Sequence, residues 1–459
     1  MQDLTEGSIG KHLLRMSGAL LLSALTGTLL ALANFYWLGR LGVTAQAAVT
    51  LAAMPVMLVM TLLPILSMGT GVLVSHAVGA KDRERANRIF NETFGASLLA
   101  AVLVALVMWI NRAAFSHFMT ADEATATLIA SYYRWLVPSI AIQVPMLVLA
   151  AALEFTGNVR AATLAQSGTV VLNALLTPVL MLGWLGAPRL GIDGAGLAPL
   201  LSCGAALLAL LVYLAREGSY LTMRPAIWLS RPTELWSALK IGLPTGIESG
   251  VVALCLLVIG LMLRPFGPTD QAAFGIGQRV FQAGLMPLSA LSGAICVVVG
   301  QNYGAKLPAR VRDTVRKGLL FGLAVAPALL VAFEGFAPWI CGRFSDDPAV
   351  IAAAATFVRI TALGLIPACT AFIAFAVLSG MGNTRASLLA QLVYVALVIV
   401  STAALSQLPG FQPFWIWIVM VVAGLVQALL GWLFLRRELV EPRRIELLTF
   451  SLRTRRSPS

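Results

Sequence analysis

Long apolar runs dominate this chain, recurring at near-regular intervals and separated by short polar stretches. A bilayer-spanning helix needs about 20 predominantly apolar residues. Runs of that length fall near residues 13–38, 47–76, 93–111, 126–152, 161–184, 195–215, 238–263, 271–302, 318–341, 351–379, 387–407 and 414–435. The pattern predicts an all-α membrane protein with about 12 transmembrane helices. The runs at 47–76, 271–302 and 351–379 are longer than one bilayer thickness, which predicts tilt or extension beyond the hydrocarbon. The first run is too long for a signal peptide and lacks a clear small-residue cleavage site.

Composition agrees with that pattern. Hydrophobic residues make up 59% of the chain and charged residues only 11%, against about 25% charged in soluble domains. The net charge of +12 would suggest a nucleic-acid partner in a soluble protein, but here the cations lie in short loops, where they set topology. Of the 32 lysines and arginines, 24 fall on the side of the termini, in clusters such as Lys81–Arg88 and Lys306–Lys317. The opposite side holds only Arg40, Arg112, Arg189, Arg264 and Arg343, and Arg134, Arg279 and Arg359 fall within spans. Both termini are therefore expected to be cytoplasmic, with an even number of spans. The five cysteines are scattered singly without metal-ligand spacing, so neither a metal site nor a cofactor is expected.

The chain also repeats itself at a fixed offset of 225 residues without gaps. Gly79-Ala80-Lys81 matches Gly304-Ala305-Lys306, Arg134 falls on Arg359, and Gly157-Asn158 matches Gly382-Asn383. Arg160-Ala161 and Leu164-Ala165-Gln166 match Arg385-Ala386 and Leu389-Ala390-Gln391. Alanine-rich helices match by chance, but polar loop signals sharing one offset do not. Each copy carries six spans, so the two lobes are parallel and related by a pseudo-twofold axis along the membrane normal. The expected organisation is an N-terminal lobe at 1–215, a connector at 216–240, a C-terminal lobe at 241–436 and a basic tail at 437–459. Repeat-built transporters bind substrate between their halves and rock one against the other.

The phrases on both sides of the offset resemble the multidrug and toxic compound extrusion (MATE) family. WLGRLG at 37–42, VSHAVGAKDRERA at 74–86 and VVGQNYGAKLPARV at 298–311 look like the family's helix junctions, as do GNVRAATLAQ and GNTRASLLAQ. The resemblance implies a multi-pass protein of the bacterial inner membrane that exports drugs or metabolites against sodium or proton entry, acting as a monomer on a small-molecule substrate. The chain departs from the family pattern in its N-terminal lobe. Asn34 stands where an aspartate is expected, and Thr177-Pro178 follows Asn173 where another aspartate is usual. In the second lobe, Pro367 lies near a position that is acidic in one subgroup.

Ionisable groups inside a bilayer cost about 2.5–3.5 kcal/mol even on insertion scales, so each one is a functional candidate. Glu248 leads: it lies one turn after Pro244 and roughly 12 Å beyond Lys240 at 1.5 Å per residue. It is the expected cation-coupling group, with Asn34, Asn173 and Thr177 as further candidates. Gln278, Arg279 and Gln282, together with Glu154, are the candidate substrate-binding residues. The alternatives are a structural Glu248 carboxyl paired with an arginine on another helix, and Arg279 as half of a static bridge. The expected function is export of an amphipathic, cationic compound by proton or sodium antiport. The alternative is a lipid-linked precursor flippase, which would need a basic cavity where only Arg279 is evident. No convergent Ser/His, paired Asp or metal-ligand set suggests an enzyme.

Overall fold

The computed structural model describes residues 3–41, 43–60, 63–216, 219–228 and 232–440, with backbone alone at 29–36, 38–39, 43, 54, 57–60 and 440. Fifteen α-helices follow one another among the described residues: α1 (Ile9–Gly39), α2 (Val43–Met60), α3 (Leu63–Gly79), α4 (Arg83–Ile110), α5 (Arg112–Met119), α6 (Glu123–Phe155), α7 (Val159–Leu182) and α8 (Ile192–Ala215), then α9 (Thr233–Met262), α10 (Pro268–Gly304), α11 (Pro308–Cys341), α12 (Pro348–Ala362), α13 (Leu365–Gly380), α14 (Thr384–Leu405) and α15 (Pro413–Val440). No strand occurs among the described residues. That is what a bilayer demands of an open chain, because a helix satisfies its backbone polar groups internally. By length and apolarity, nine described helices could span a membrane, with the bent pair α12–α13 a tenth. The basic tail beyond Val440 lies outside the described residues.

The long runs resolve in different ways. Helix α10 stays continuous over 37 residues, about 55 Å at 1.5 Å per residue, and so outruns the hydrocarbon core as its length predicts. The run at 351–379 bends by 53° between α12 and α13. At that corner Leu363 and Gly364 donate to Ile360 O and Thr361 O in tight i→i−3 turns. Pro367, three residues on, has no N–H with which to continue the ladder. The run at 47–76 is helical on both sides of residues 61–62, which lie outside the described residues.

The internal repeat is visible in the backbone itself. Lys81 and Lys306 both take a left-handed conformation, at φ 57° and 59°. The residue after each reaches back five positions, Asp82 N–H to Ala77 O and Leu307 N–H to Asn302 O, both at 2.9 Å. Gly157 and Gly382, at φ 85° and 87°, close the same six-residue ring, with Asn158 donating to Leu153 O and Asn383 to Leu378 O. These are helix C-caps that satisfy otherwise orphaned carbonyls. The side chains after the two glycines repeat as well. Asn158 Nδ2 donates to Tyr213 Oη, and Asn383 Nδ2 donates to Glu438 Oε1 at 2.7 Å, each acceptor lying on the lobe's final helix.

The chain divides into two compact units. The first takes Leu14–Gly250, and the second takes Val251–Tyr303 and the described residues from Leu307 to Val440, together with Ser8–Leu13. The opening turns of α9 therefore pack with the first unit, while its remainder belongs to the second. The first unit centres on Ile89, Phe90 and Phe94 of α4, against Met146, Leu149 and Leu153 of α6 and Leu210 of α8. The second is built around three rings: Phe357 meets Trp417 edge-on at 4.7 Å, and Phe274 stacks on Trp417 at 5.5 Å. Gly277 lets the Phe357 ring lie on the α10 backbone, since a Cβ there would come within 2.3 Å of it. Such close approaches hold membrane helices together where lipid removes the hydrophobic drive. The outer faces are apolar, with Leu103, Leu106, Val107 and Ile110 of α4 each at least half exposed. Near helix ends, guanidinium groups cover tryptophans, Arg112 over Trp109 at 4.4 Å and Arg343 over Trp339 at 4.8 Å, as expected at a membrane–water boundary.

Candidate functional site

Glu248 sits in the middle of α9, one turn beyond the buried Pro244. Its carboxyl is half-buried and makes no hydrogen bond or ion pair with any described residue. The nearest polar group along the helix, Ser249 Oγ, is already turned back to Thr245 O at 3.1 Å. A carboxyl in an apolar helix with no cation beside it is not a structural salt bridge, so the pairing alternative finds no partner within its own unit. On α10, Gln278 is half-buried while Arg279 and Gln282 are exposed. Gln278 Oε1 is buried and accepts no hydrogen bond, an open acceptor. Gln278 and Gln282 share a face one turn apart without bonding to each other.

Asn173 and Thr177 come together on α7, one turn apart. Thr177 is 4% exposed, and its hydroxyl donates to Asn173 O at 2.7 Å. Pro178 follows and cannot donate to the ladder. Where the family resemblance leads one to expect a carboxylate, this helix therefore offers a hydroxyl committed to its own backbone. Asn34 lies in α1, but its side chain is outside the described residues. Glu154 closes the last turn of α6, half-buried, and forms no ion pair with Arg160. No group of three or more His, Cys, Asp or Glu able to hold a metal occurs among the described residues. All five cysteines are free and buried.

A polar network, buried in part, lies elsewhere among the described residues, on α4. Its residues 83, 87 and 91, spaced one helical turn apart, grip the connector between the repeats. Arg83 donates to Ser219 O (2.7 Å) and Tyr220 O (2.9 Å). Asn87 Oδ1 accepts from the Thr222 N–H at 2.6 Å. Asn91 donates to Thr222 O at 2.8 Å and accepts from Arg224 N–H at 2.6 Å and from Trp228 Nε1 at 3.3 Å. Glu92, 3% exposed, accepts from the N–H groups of Glu234 (2.9 Å) and Leu235 (3.1 Å). It thereby caps the start of α9 from another helix, while Arg85 Nε reaches Glu234 Oε1 at 3.1 Å. Residues 233–240, expected as the end of a connector, are the first turns of α9. The sequence carried one signal for this clamp, the polar Asn87 and Asn91 one turn apart with Glu92 next to them, beside an apolar stretch, but nothing in it named their partners.

Comparison with known proteins follows the same outline. The MatE family model matches residues 19–179 and again 244–405, one match in each repeat. The chain belongs to the MatE family. Its curated relatives include the FAD transporter of Shewanella oneidensis, 28% identical over 88% of this chain and 89% of that protein. The probable multidrug resistance protein NorM of Deinococcus radiodurans is 29% identical, over 83% and 85% of the two chains. A crystal structure of a MATE protein in complex with MaL6 superposes with a TM-score of 0.88 at 21% identity, over 96% and 99% of the two chains. These structural neighbours have 12 transmembrane helices in two lobes. MatE members are membrane transporters, and this chain is a multi-pass membrane protein of that kind.

Proposed function

We propose that this MatE protein exports amphipathic, cationic small molecules by proton antiport, with Glu248 as the coupling group and both termini in the cytoplasm of a bacterial cell. The observation that carries the reading is the unpartnered Glu248 carboxyl on an apolar helix, one turn past a proline. Such a group has no structural task and can take up and release a proton as its access alternates. The open Gln278 acceptor supplies a hydrogen-bonding point for substrate. The multidrug resistance names of the relatives support drug-like substrates.

A second reading, export of a phosphate-bearing flavin nucleotide, draws on the relative named FAD transporter. One observation in this chain favours it: α7 offers Asn173 and Thr177 instead of a carboxylate, so the helix presents no anionic group to a cation. One assay separates the two. Inverted vesicles containing the purified chain are given a proton or sodium gradient and offered a fluorescent cationic dye or FAD. Proton-driven dye accumulation that disappears in Glu248→Gln is the expected result. Accumulation of FAD and not dye moves the substrate to the second reading, and full dye transport by Glu248→Gln removes the coupling role.

A further inference from the structure

On the arginine-rich side of the first unit, a recess of about 320 Å³ lies between α1 and the start of α7. Arg15, Met16 and Ala19 of α1 form one wall, and Asn158, Val159 and Arg160 form the other. Neither Arg15 nor Arg160 makes a hydrogen bond, an ion pair or a ring contact with a described residue. Two exposed guanidinium groups from separate helices thus line one half-open recess, with no counter-charge among the residues that line it. Most other cations of the unit have found partners: Arg85 is on Glu234, Arg224 on Glu84, Arg83 on two connector carbonyls, and Arg112 on Trp109. The wall at α7 adds donors of its own. The Asn158 side chain is turned away to Tyr213 and leaves the helix start without a side-chain cap, so its first N–H groups point out along the axis.

We propose that this recess binds a phosphate group, held between the Arg15 and Arg160 guanidiniums above the start of α7. Guanidinium forks match phosphate oxygens in pairs, and Met16 and Ala19 give the same recess an apolar edge. The chemistry suits the headgroup of an anionic phospholipid, whose acyl chains would continue along the apolar face of α1. It also suits a soluble phosphate ester, and the experiment distinguishes the two. Basic pockets at the interfacial ends of membrane helices bind headgroups in this way. The site is independent of the coupling role given to Glu248.

The test uses the full-length chain, purified and placed in nanodiscs of phosphatidylcholine with graded phosphatidylglycerol. Bound phosphatidylglycerol is read by native mass spectrometry, and inorganic pyrophosphate binding by calorimetry. The Arg15→Gln/Arg160→Gln double variant is expected to bind phosphatidylglycerol about 30-fold more weakly. Ala19→Phe fills the recess without removing charge and is expected to weaken binding as well. Thermal midpoints confirm that both variants are folded. Phosphatidylglycerol binding without pyrophosphate binding assigns the site to the lipid headgroup, and pyrophosphate binding that both variants abolish extends it to soluble phosphate esters. The proposal is overturned if the double variant keeps wild-type affinity for both probes. It is also overturned if Ala19→Phe binds normally while the arginine variant does not, since that describes diffuse surface charge and not a site. Equal retention of phosphatidylcholine and phosphatidylglycerol by the wild type, with no pyrophosphate bound, overturns it too.

Discussion

Replacing Glu92 with alanine removes the carboxylate that receives two backbone N–H groups at the start of α9, at 2.9 and 3.1 Å. Glu92 is 3% exposed, so its alanine variant leaves those amides buried without their acceptor. A hydrogen bond to a charged group contributes about 1.5–3 kcal/mol, and an orphaned buried donor costs a similar amount. Water reaching the freed helix start recovers part of the loss, so the local opening free energy is expected to fall by about 1.5–3 kcal/mol in all. At 1.4 kcal/mol per tenfold this is roughly 10- to 100-fold faster amide exchange. The assay is hydrogen–deuterium exchange with mass spectrometry on the peptide covering 222–240, in protein that still elutes as a single species. Glu92→Gln keeps one acceptor oxygen and is expected to fall between wild type and alanine. The control is Glu84→Ala, which breaks the ion pair to Arg224 between side chains 61% and 45% exposed. Exposed pairs contribute about 0.2–1 kcal/mol, so exchange there should rise by no more than roughly fivefold. Exchange of 222–240 unchanged in a folded Glu92→Ala protein would refute the clamp.

The seam between α3 and the start of α9 should be equally sensitive. A Cβ at Gly242 would lie 1.6 Å from Ile65 O, and one at Gly69 would lie 2.1 Å from Ala238 O. Gly242→Ala and Gly69→Ala should each cost about 1–3 kcal/mol or more, seen as a lower thermal midpoint in detergent. Gly250→Ala, with nothing within 4 Å of the new Cβ, should not lower it. At the repeated helix cap, Lys81→Gly or Lys306→Gly removes the cost of a side chain in the left-handed region and should stabilise by about 1 kcal/mol. The β-branched Lys81→Val should destabilise; equal midpoints for the glycine and valine variants would contradict the φ assignment. Glu248→Gln should abolish gradient-driven dye accumulation without lowering protein abundance, and wild-type accumulation would end its coupling role.

What the sequence determined alone is what physics decides locally. The apolar lengths set the membrane class and the helical state, because a bilayer accepts few other ways to bury a backbone. The loop chemistry was just as local: Gly157 and Gly382, and less predictably Lys81 and Lys306, end their helices the same way in both repeats. The candidate coupling carboxyl was also legible, since Glu248 stands out on any apolar stretch. Its lack of a partner was not, and neither was the commitment of the Thr177 hydroxyl to the backbone of α7. Tertiary structure alone decided how polar side chains found partners far along the chain. Asn87, Asn91 and Glu92 meet residues 131–143 positions away, and Arg15 lies across a recess from Arg160. Periodicity reports which face of a helix is polar. Which distant backbone meets that face is settled only when the helices pack and every buried donor and acceptor must be matched.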